Sequence, residues 1–213
     1  AYGLPPVAQW RSDRGTEPDA TVARGDTAQG NIFLGQLAIL KRPAIWVLAL
    51  SSALAYVSRY AVAGWGVLFL QEARGYSLTE AGSLLFVSTL AGMGGSVAYG
   101  FISDTLFGAR RPPANLLFGA LEVGGLMLVF YGPQNTVTLT LGMVLFGMGM
   151  TGLVTALGGL FATDICDKRV AGAVMGMIGV FSYLGAAIQE QVSGILIQRG
   201  TTMVDGVRHY DFG

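Results

Sequence analysis

The sequence is short of charge. Only 12% of its 213 residues are Asp, Glu, Lys or Arg, about half the ~25% of an ordinary soluble domain. With 52% hydrophobic residues and a positive mean hydropathy, that scarcity points to a bilayer and away from a water-solvated domain. The 13 basic and 13 acidic residues cancel, which removes the basic field that nucleic-acid binding needs. There is one cysteine, Cys166, and one histidine, His209. A single cysteine excludes an internal disulfide and any cysteine-based metal cluster. A lone histidine in a polar tail makes a zinc site or a His-dependent triad hard to build. The sequence contains no nucleophile–base pair, metal-ligand set or cofactor motif, so neither an enzyme nor a bound cofactor is expected. Residues 1–30 have no apolar run of signal-peptide type and no initiating methionine, so the chain is expected to be an internal fragment.

What is abundant is glycine. There are 32, well above the usual ~7%, and they sit inside apolar runs, where membrane helices approach one another closely. Five stretches meet the ~20-residue requirement of a spanning helix: 43–70, 81–103, 112–131, 137–163 and 170–198. Short polar turns separate them, as antiparallel neighbours require. No alternating ten-residue pattern of a closed barrel occurs. The expected fold is therefore an all-α, polytopic transmembrane bundle of five helices over 43–213. It is preceded by a polar linker over 1–42, whose last part, 31–42, reads as a short interfacial helix. Nine basic residues, including Lys41, Arg42, Arg110, Arg111, Lys168 and Arg169, fall on one side of these spans. The positive-inside rule predicts that side to be cytoplasmic, with the linker. Small residues at four-residue spacing, Gly92/Ser96/Gly100 and Gly172/Gly176, read as helix-packing ridges.

Three charges lie inside the spans. Arg59 is near the middle of the first, where an arginine costs about 2.5–3.5 kcal/mol on insertion scales. Ser52, Tyr56, Arg59, Ala63 and Gly66 share one helical side by spacing. A wet cavity lined by a guanidinium and a tyrosine suits phosphate or carboxylate, because the guanidinium is a planar fork of donors. The alternative is a structural ion pair with Glu122 or Glu190. Glu122, in the third span, reads three ways: a proton carrier, a cation's partner, or a buried neutral acid. Glu190, beside Gln189 and Gln191 in the fifth span, continues a face formed by Gly172, Gly176, Gly179, Tyr183 and Ala187. Tyr183 is a ligand donor or an ordinary packed aromatic. Between the second and third spans, Asp104 near Arg110 and Arg111 suits a charge-linked clamp between helices, a gate on one side of the membrane; the alternative is positive-inside anchoring, which explains the arginines but not the aspartate.

On these residues the chain resembles the organophosphate:phosphate antiporter family of the major facilitator superfamily, which includes glycerol-3-phosphate and hexose-phosphate transporters and a hexose-phosphate sensor. The segment Ala55-Tyr-Val-Ser-Arg59-Tyr-Ala-Val-Ala-Gly-Trp65 resembles the family's seventh helix, and the Gly100 to Arg111 loop resembles its link between helices eight and nine. Ala171-Gly-Ala-Val-Met-Gly with Phe181-Ser-Tyr183-Leu-Gly185 resembles helix eleven, and Gly3-Leu-Pro-Pro with Trp10-Arg11 resembles the central cytoplasmic loop. The resemblance implies helices 7–11 of 12, with helices 1–6 and 12 absent from this sequence. It implies a place in a bacterial inner membrane, Arg59 as one of two phosphate-binding arginines, and Tyr56 and Tyr183 as site-lining tyrosines. Two departures stand out. Family members often carry Asp just before the helix-seven tryptophan, where this chain has Gly64, and some carry an acid in helix eight, where it has Thr89. Glu122, Gln189 and Glu190 are the polar residues that compensate or set a different substrate.

The implied function is exchange of an organic phosphate, a sugar or glycerol phosphate, for inorganic phosphate by alternating access. Two alternatives share the pocket: a membrane sensor for a sugar phosphate, and a proton-coupled transporter of another organic anion.

Overall fold

The computed structural model describes residues 43–108, 110–165, 168–204 and 207–210. The linker and interfacial helix expected over 1–42 lie outside the described residues. Helices run over α1 (Pro43–Glu72), α2 (Leu78–Thr105), α3 (Arg111–Tyr131) and α4 (Thr136–Thr155). A π-helical turn, Ala156–Leu160, continues α4 into the short α5 (Phe161–Ile165), and α6 spans Lys168–Gly200. Among the described residues, five helices are long and apolar enough to cross a membrane. The expectation of a five-helix transmembrane bundle is borne out.

The boundaries follow local chemistry. Gly75 takes φ +71°, which turns the chain after α1. Ser77 then caps α2 in a reciprocal pair: the Glu80 amide donates to Ser77 Oγ at 3.3 Å and the Ser77 amide to Glu80 Oε2 at 2.9 Å. Such a box satisfies two amides that a helix start leaves orphaned. Pro112 and Pro113 open α3, where the missing N–H costs nothing. Asn135 Oδ1 accepts the Thr138 amide at 2.7 Å and caps α4.

The helices pack in two groups: α2 and α3 lie against α4, and α6 lies against α1. Backbone contact makes this packing possible. A Cβ on Gly147 of α4 would collide with the Ser88 carbonyl of α2, and one on Gly149 would lie 2.5 Å from the Glu122 amide of α3. A Cβ on Gly185 of α6 would lie 2.7 Å from the Ala53 carbonyl of α1. Of the small-residue ridges read from spacing, only part is used. Gly92 meets Thr151, but Gly100, Gly172 and Gly176 have no described neighbour within 4 Å of a Cβ position. Four-residue spacing names a helix face; it does not say whether that face is covered.

Apolar clusters close each end of the bundle. Ile45, Leu48, Leu157, Ala162, Val174 and Ile178 form one, Leu70, Ala81, Leu84, Val129, Leu139 and Met143 a second, and Tyr99, Ala114, Phe118 and Ala156 a third. Large apolar side chains on the outside, among them Leu50, Phe86, Val97 and Leu116, are exposed, as lipid-facing positions should be. One element departs from the all-α expectation. β1 (Thr201–Val204) and β2 (Val207–Tyr210) pair antiparallel, Thr201 opposite Tyr210. Asp and Gly stand between them in the sequence, a pair that favours two-residue hairpin turns.

Gly147→Ala should destabilise the bundle by about 1–3 kcal/mol, the cost of overpacking, whereas Gly176→Ala should be neutral. Thermal melting of the detergent-solubilised whole protein checks the contrast.

Candidate functional site

α1 and α6 run side by side in parallel, and their contacts rise in register along the groove between them. Ser52 Oγ lies 2.7 Å from Ser182 Oγ, both buried. One and two turns on, Tyr56 and Tyr60 of α1 meet Tyr183 of α6 edge to face, with ring centroids 5.5 and 6.4 Å apart. Tyr56 and Tyr60 stack on each other at 5.8 Å. Further along, the Trp65 indole donates from Nε1 to Glu190 Oε2 at 3.1 Å. Tyr60 was not singled out by sequence reasoning. Its i+4 spacing from Tyr56 was the signal available.

Arg59 is exposed on this aromatic ridge, with its guanidinium carbon 5.8 Å from the Tyr56 ring centroid. Among the described residues no carboxylate is within ion-pair distance of it; the ion pairs present are those of Arg111. Glu122 and Glu190 are both engaged elsewhere, so the expected alternative of a structural pair is not realised. Arg59 also lines a cavity of about 330 Å³ with Ala63, Ser88, Thr89, Met93 and Thr151. Thr89 spends its hydroxyl on the Leu85 carbonyl at 3.0 Å. The side read from spacing is divided in space. Tyr56, Arg59 and Ala63 stay on or near the open face, while Ser52 turns into the α6 contact and a Cβ on Gly66 would meet Leu85 of α2.

The other intramembrane polar residues do not join Arg59. Glu122 is 9% exposed and accepts a hydrogen bond from the Ser58 hydroxyl, which ties α3 to α1. Gln189 is buried, donates to Ser193 Oγ at 2.9 Å along its own helix, and leaves Oε1 without a partner. Beside the Trp65–Glu190 bond lies a second, apolar cavity of about 260 Å³, lined by Trp65, Phe69, Leu126, Phe130, Phe146 and Leu196 among others.

At the end of the bundle where α3 begins, Arg111 carries a charged cluster. Nη1 donates to Asp104 Oδ1 at 3.1 Å and to Ser103 Oγ at 2.9 Å, and Nε donates to Asp164 Oδ2 at 2.9 Å. One guanidinium thus links α2, α3 and α5. Sequence reasoning named Asp104, Arg110 and Arg111. Arg110 is exposed and N-caps α3 without a side-chain bond, and Asp164, 53 residues away from Arg111, was missed because no local spacing links them. At the opposite end Arg74 donates from Nη2 to the Val129 and Phe130 carbonyls, both at 2.7 Å, satisfying acceptors in the last turn of α3.

A family model described as Major Facilitator Superfamily matches residues 3–189. The chain belongs to the major facilitator superfamily. The chain is 37% identical to the membrane sensor protein UhpC of Salmonella typhimurium, over 88% of the chain and 42% of that protein. It is 28% identical to a glycerol-3-phosphate transporter of Bacillus subtilis, over 92% of the chain and 44% of that protein. It is 26% identical to a hexose-6-phosphate:phosphate antiporter of Escherichia coli, over 86% of the chain and 39% of that protein. The chain spans less than half the length of these relatives, which fits one half of a major-facilitator protein. The resemblance to the organophosphate:phosphate antiporter family is borne out, and the chain is part of an integral membrane protein.

Within this superfamily assignment, the two departures acquire a geometry. Gly64 lies against Glu190, whose Oε1 would be 2.7 Å from a Cβ at that position. A carboxylate from α6 occupies the ground that a side chain from α1 would need. Thr89, in place of an acid, is a neutral wall of the Arg59 cavity.

Arg111→Gln should cost about 1–2 kcal/mol, because its side chain is only 14% exposed and its loss orphans polar partners. Arg110→Gln should stay within ~0.5 kcal/mol as a surface change. Paired melts of the two variants test the assignment of the cluster to Arg111.

Proposed function

We propose that this chain is part of a secondary transporter that exchanges an organic phosphate for inorganic phosphate. The single observation that carries the reading is Arg59: a mid-span guanidinium on the open face, with no carboxylate among the described residues at ion-pair distance, framed by Tyr56, Tyr60 and Tyr183. A permanently charged arginine in a membrane calls for a counter-charge. A phosphoryl group supplies it, and the planar fork can bind two of its oxygens at once. The tyrosine hydroxyls supply further donors at the edge of the same site. The glycerol-3-phosphate transporter and the hexose-6-phosphate:phosphate antiporter among the relatives support the substrate class.

Transport then proceeds by alternating access, with two half-bundles rocking about a central site. The Arg111 cluster is the gate at one end. It fastens α2, α3 and α5 when closed, and by the positive-inside count that end is cytoplasmic. The protein resides in a bacterial inner membrane and performs no covalent chemistry. Glu122, held by Ser58 away from Arg59, braces α3 on α1 in this account.

A second reading is a membrane sensor for a sugar phosphate, favoured by the 37% identity to a relative of that name. The two share the pocket and differ in flux.

The test uses the whole protein containing this chain, in phosphate-loaded liposomes. Labelled phosphate exchange against sugar and glycerol phosphates is expected in the wild type. It should fall at least ten-fold in Arg59→Lys, which keeps the charge but loses the fork. Saturable binding without exchange would select the sensor. Undiminished exchange in Arg59→Lys would remove Arg59 from the site.

A further inference from the structure

We propose that the hydroxyls of Ser88 and Thr151 complete the anion site of Arg59 from the opposite wall of its cavity, so that a bound phosphoryl group ties α1 to the α2–α4 pair. The proposal rests on the reading of Arg59 as the phosphoryl site and adds to it two residues that sequence reasoning did not single out.

Ser88 lies on α2 and Thr151 on α4, and both line the cavity of about 330 Å³ that Arg59 lines from α1. One water needs roughly 10–15 Å³ of such space, so there is room for a much larger anion. Apart from Arg59, the polar side chains of the lining are three hydroxyls, those of Ser88, Thr89 and Thr151. They are not equivalent. Thr89 spends its proton on the Leu85 carbonyl at 3.0 Å, the back-bond that such residues often make inside a helix. Ser96 of α2 and Thr155 of α4 do the same, at 3.3 and 2.9 Å. Ser88 and Thr151 do not: among the described residues neither hydroxyl has an acceptor. The fully enclosed side-chain oxygen without a partner among the described residues is Gln189 Oε1. The Ser88 and Thr151 oxygens, also without one, are therefore accessible.

Close backbone packing holds these two donors in place. A Cβ on Gly147 of α4 would lie 2.8 Å from Ser88 Oγ, and one on Gly92 of α2 would collide with Thr151 Oγ1. The bare glycines thus seat both hydroxyls along the α2–α4 seam. Donors positioned before the ligand arrives cost little to organise when it binds.

The chemistry suits a phosphoryl group. The guanidinium fork takes two of its oxygens, and a hydroxyl makes a short, strong bond to a third. The geometry also gives the bond a mechanical consequence. Arg59 rides on α1, which packs with α6, whereas Ser88 and Thr151 ride on α2 and α4, which pack with each other. An anion held from both sides bridges the two helix groups, and release of the anion removes the tie.

The measurement is equilibrium binding of labelled inorganic phosphate to the solubilised whole protein, which reads binding without requiring flux. Thr151→Val and Ser88→Ala should each raise the phosphate Kd about five- to ten-fold, as one lost hydrogen bond does. Thr151→Ser, which retains the hydroxyl, should stay within about two-fold of wild type. Thr155→Val, which removes a hydroxyl already spent within α4, should do so too. Loss of affinity in Thr151→Val that Thr151→Ser does not rescue marks a packing role and overturns the proposal. Kd values within about two-fold of wild type in both Thr151→Val and Ser88→Ala overturn it as well, and leave Arg59 at the site if Arg59→Lys still loses binding. Wild-type protein that binds no phosphate, or Arg59→Lys that binds it as well as wild type does, overturns the Arg59 reading itself and this proposal with it.

Discussion

A guanidinium in the middle of a membrane must be neutralised, hydrated or held by polar partners, and the arrangement around Arg59 is organised by that demand. The two carboxylates within reach of a pairing argument are both spent. Glu122 is held by Ser58 of α1, and Glu190 is held by Trp65 further along the groove. What surrounds Arg59 is a ridge of tyrosines and a cavity with three hydroxyl-bearing lining residues, Ser88, Thr89 and Thr151. Such surroundings tolerate the charge without cancelling it, which is the condition for binding an anion and releasing it again.

The frame that holds this charge in place is built by backbone contact. Where α2 and α3 meet α4, and where α6 meets α1, glycines let carbonyls and amides of neighbouring helices touch. Contacts of this kind leave little room for sliding, so each group is suited to move as a body. At the two ends, polar bonds between elements add a stop to such motion: Arg111 on Asp104 and Asp164 at one, Arg74 on the carbonyls of α3 at the other.

Much of this was legible in the sequence, for physical reasons that are easy to state. Hydropathy over ~20 residues found all five spans, because the bilayer leaves a helix few other solutions. Arg59 announced itself by its cost. Tyr56 and Tyr183 came through family resemblance, and the structure brings them within 5.5 Å. What spacing could not supply was which face meets which neighbour. Ser52 shares a side with Arg59 by period, yet it is buried on Ser182. Gln189 and Glu190 are adjacent and point to different surroundings. Asp164 reaches Arg111 from 53 residues away, a pairing that only the fold creates.

The central claim is that the charge of Arg59, which no carboxylate among the described residues pairs, is completed by a phosphoryl group. The most direct measurement is a structure of the whole protein with a bound phosphate ester. The account predicts two phosphoryl oxygens within about 2.7–2.9 Å of the Arg59 guanidinium nitrogens, with Tyr56 and Tyr183 at the rim. A structure in which Arg59 is paired with a carboxylate from elsewhere in the protein, and the phosphate lies outside this groove, would contradict it.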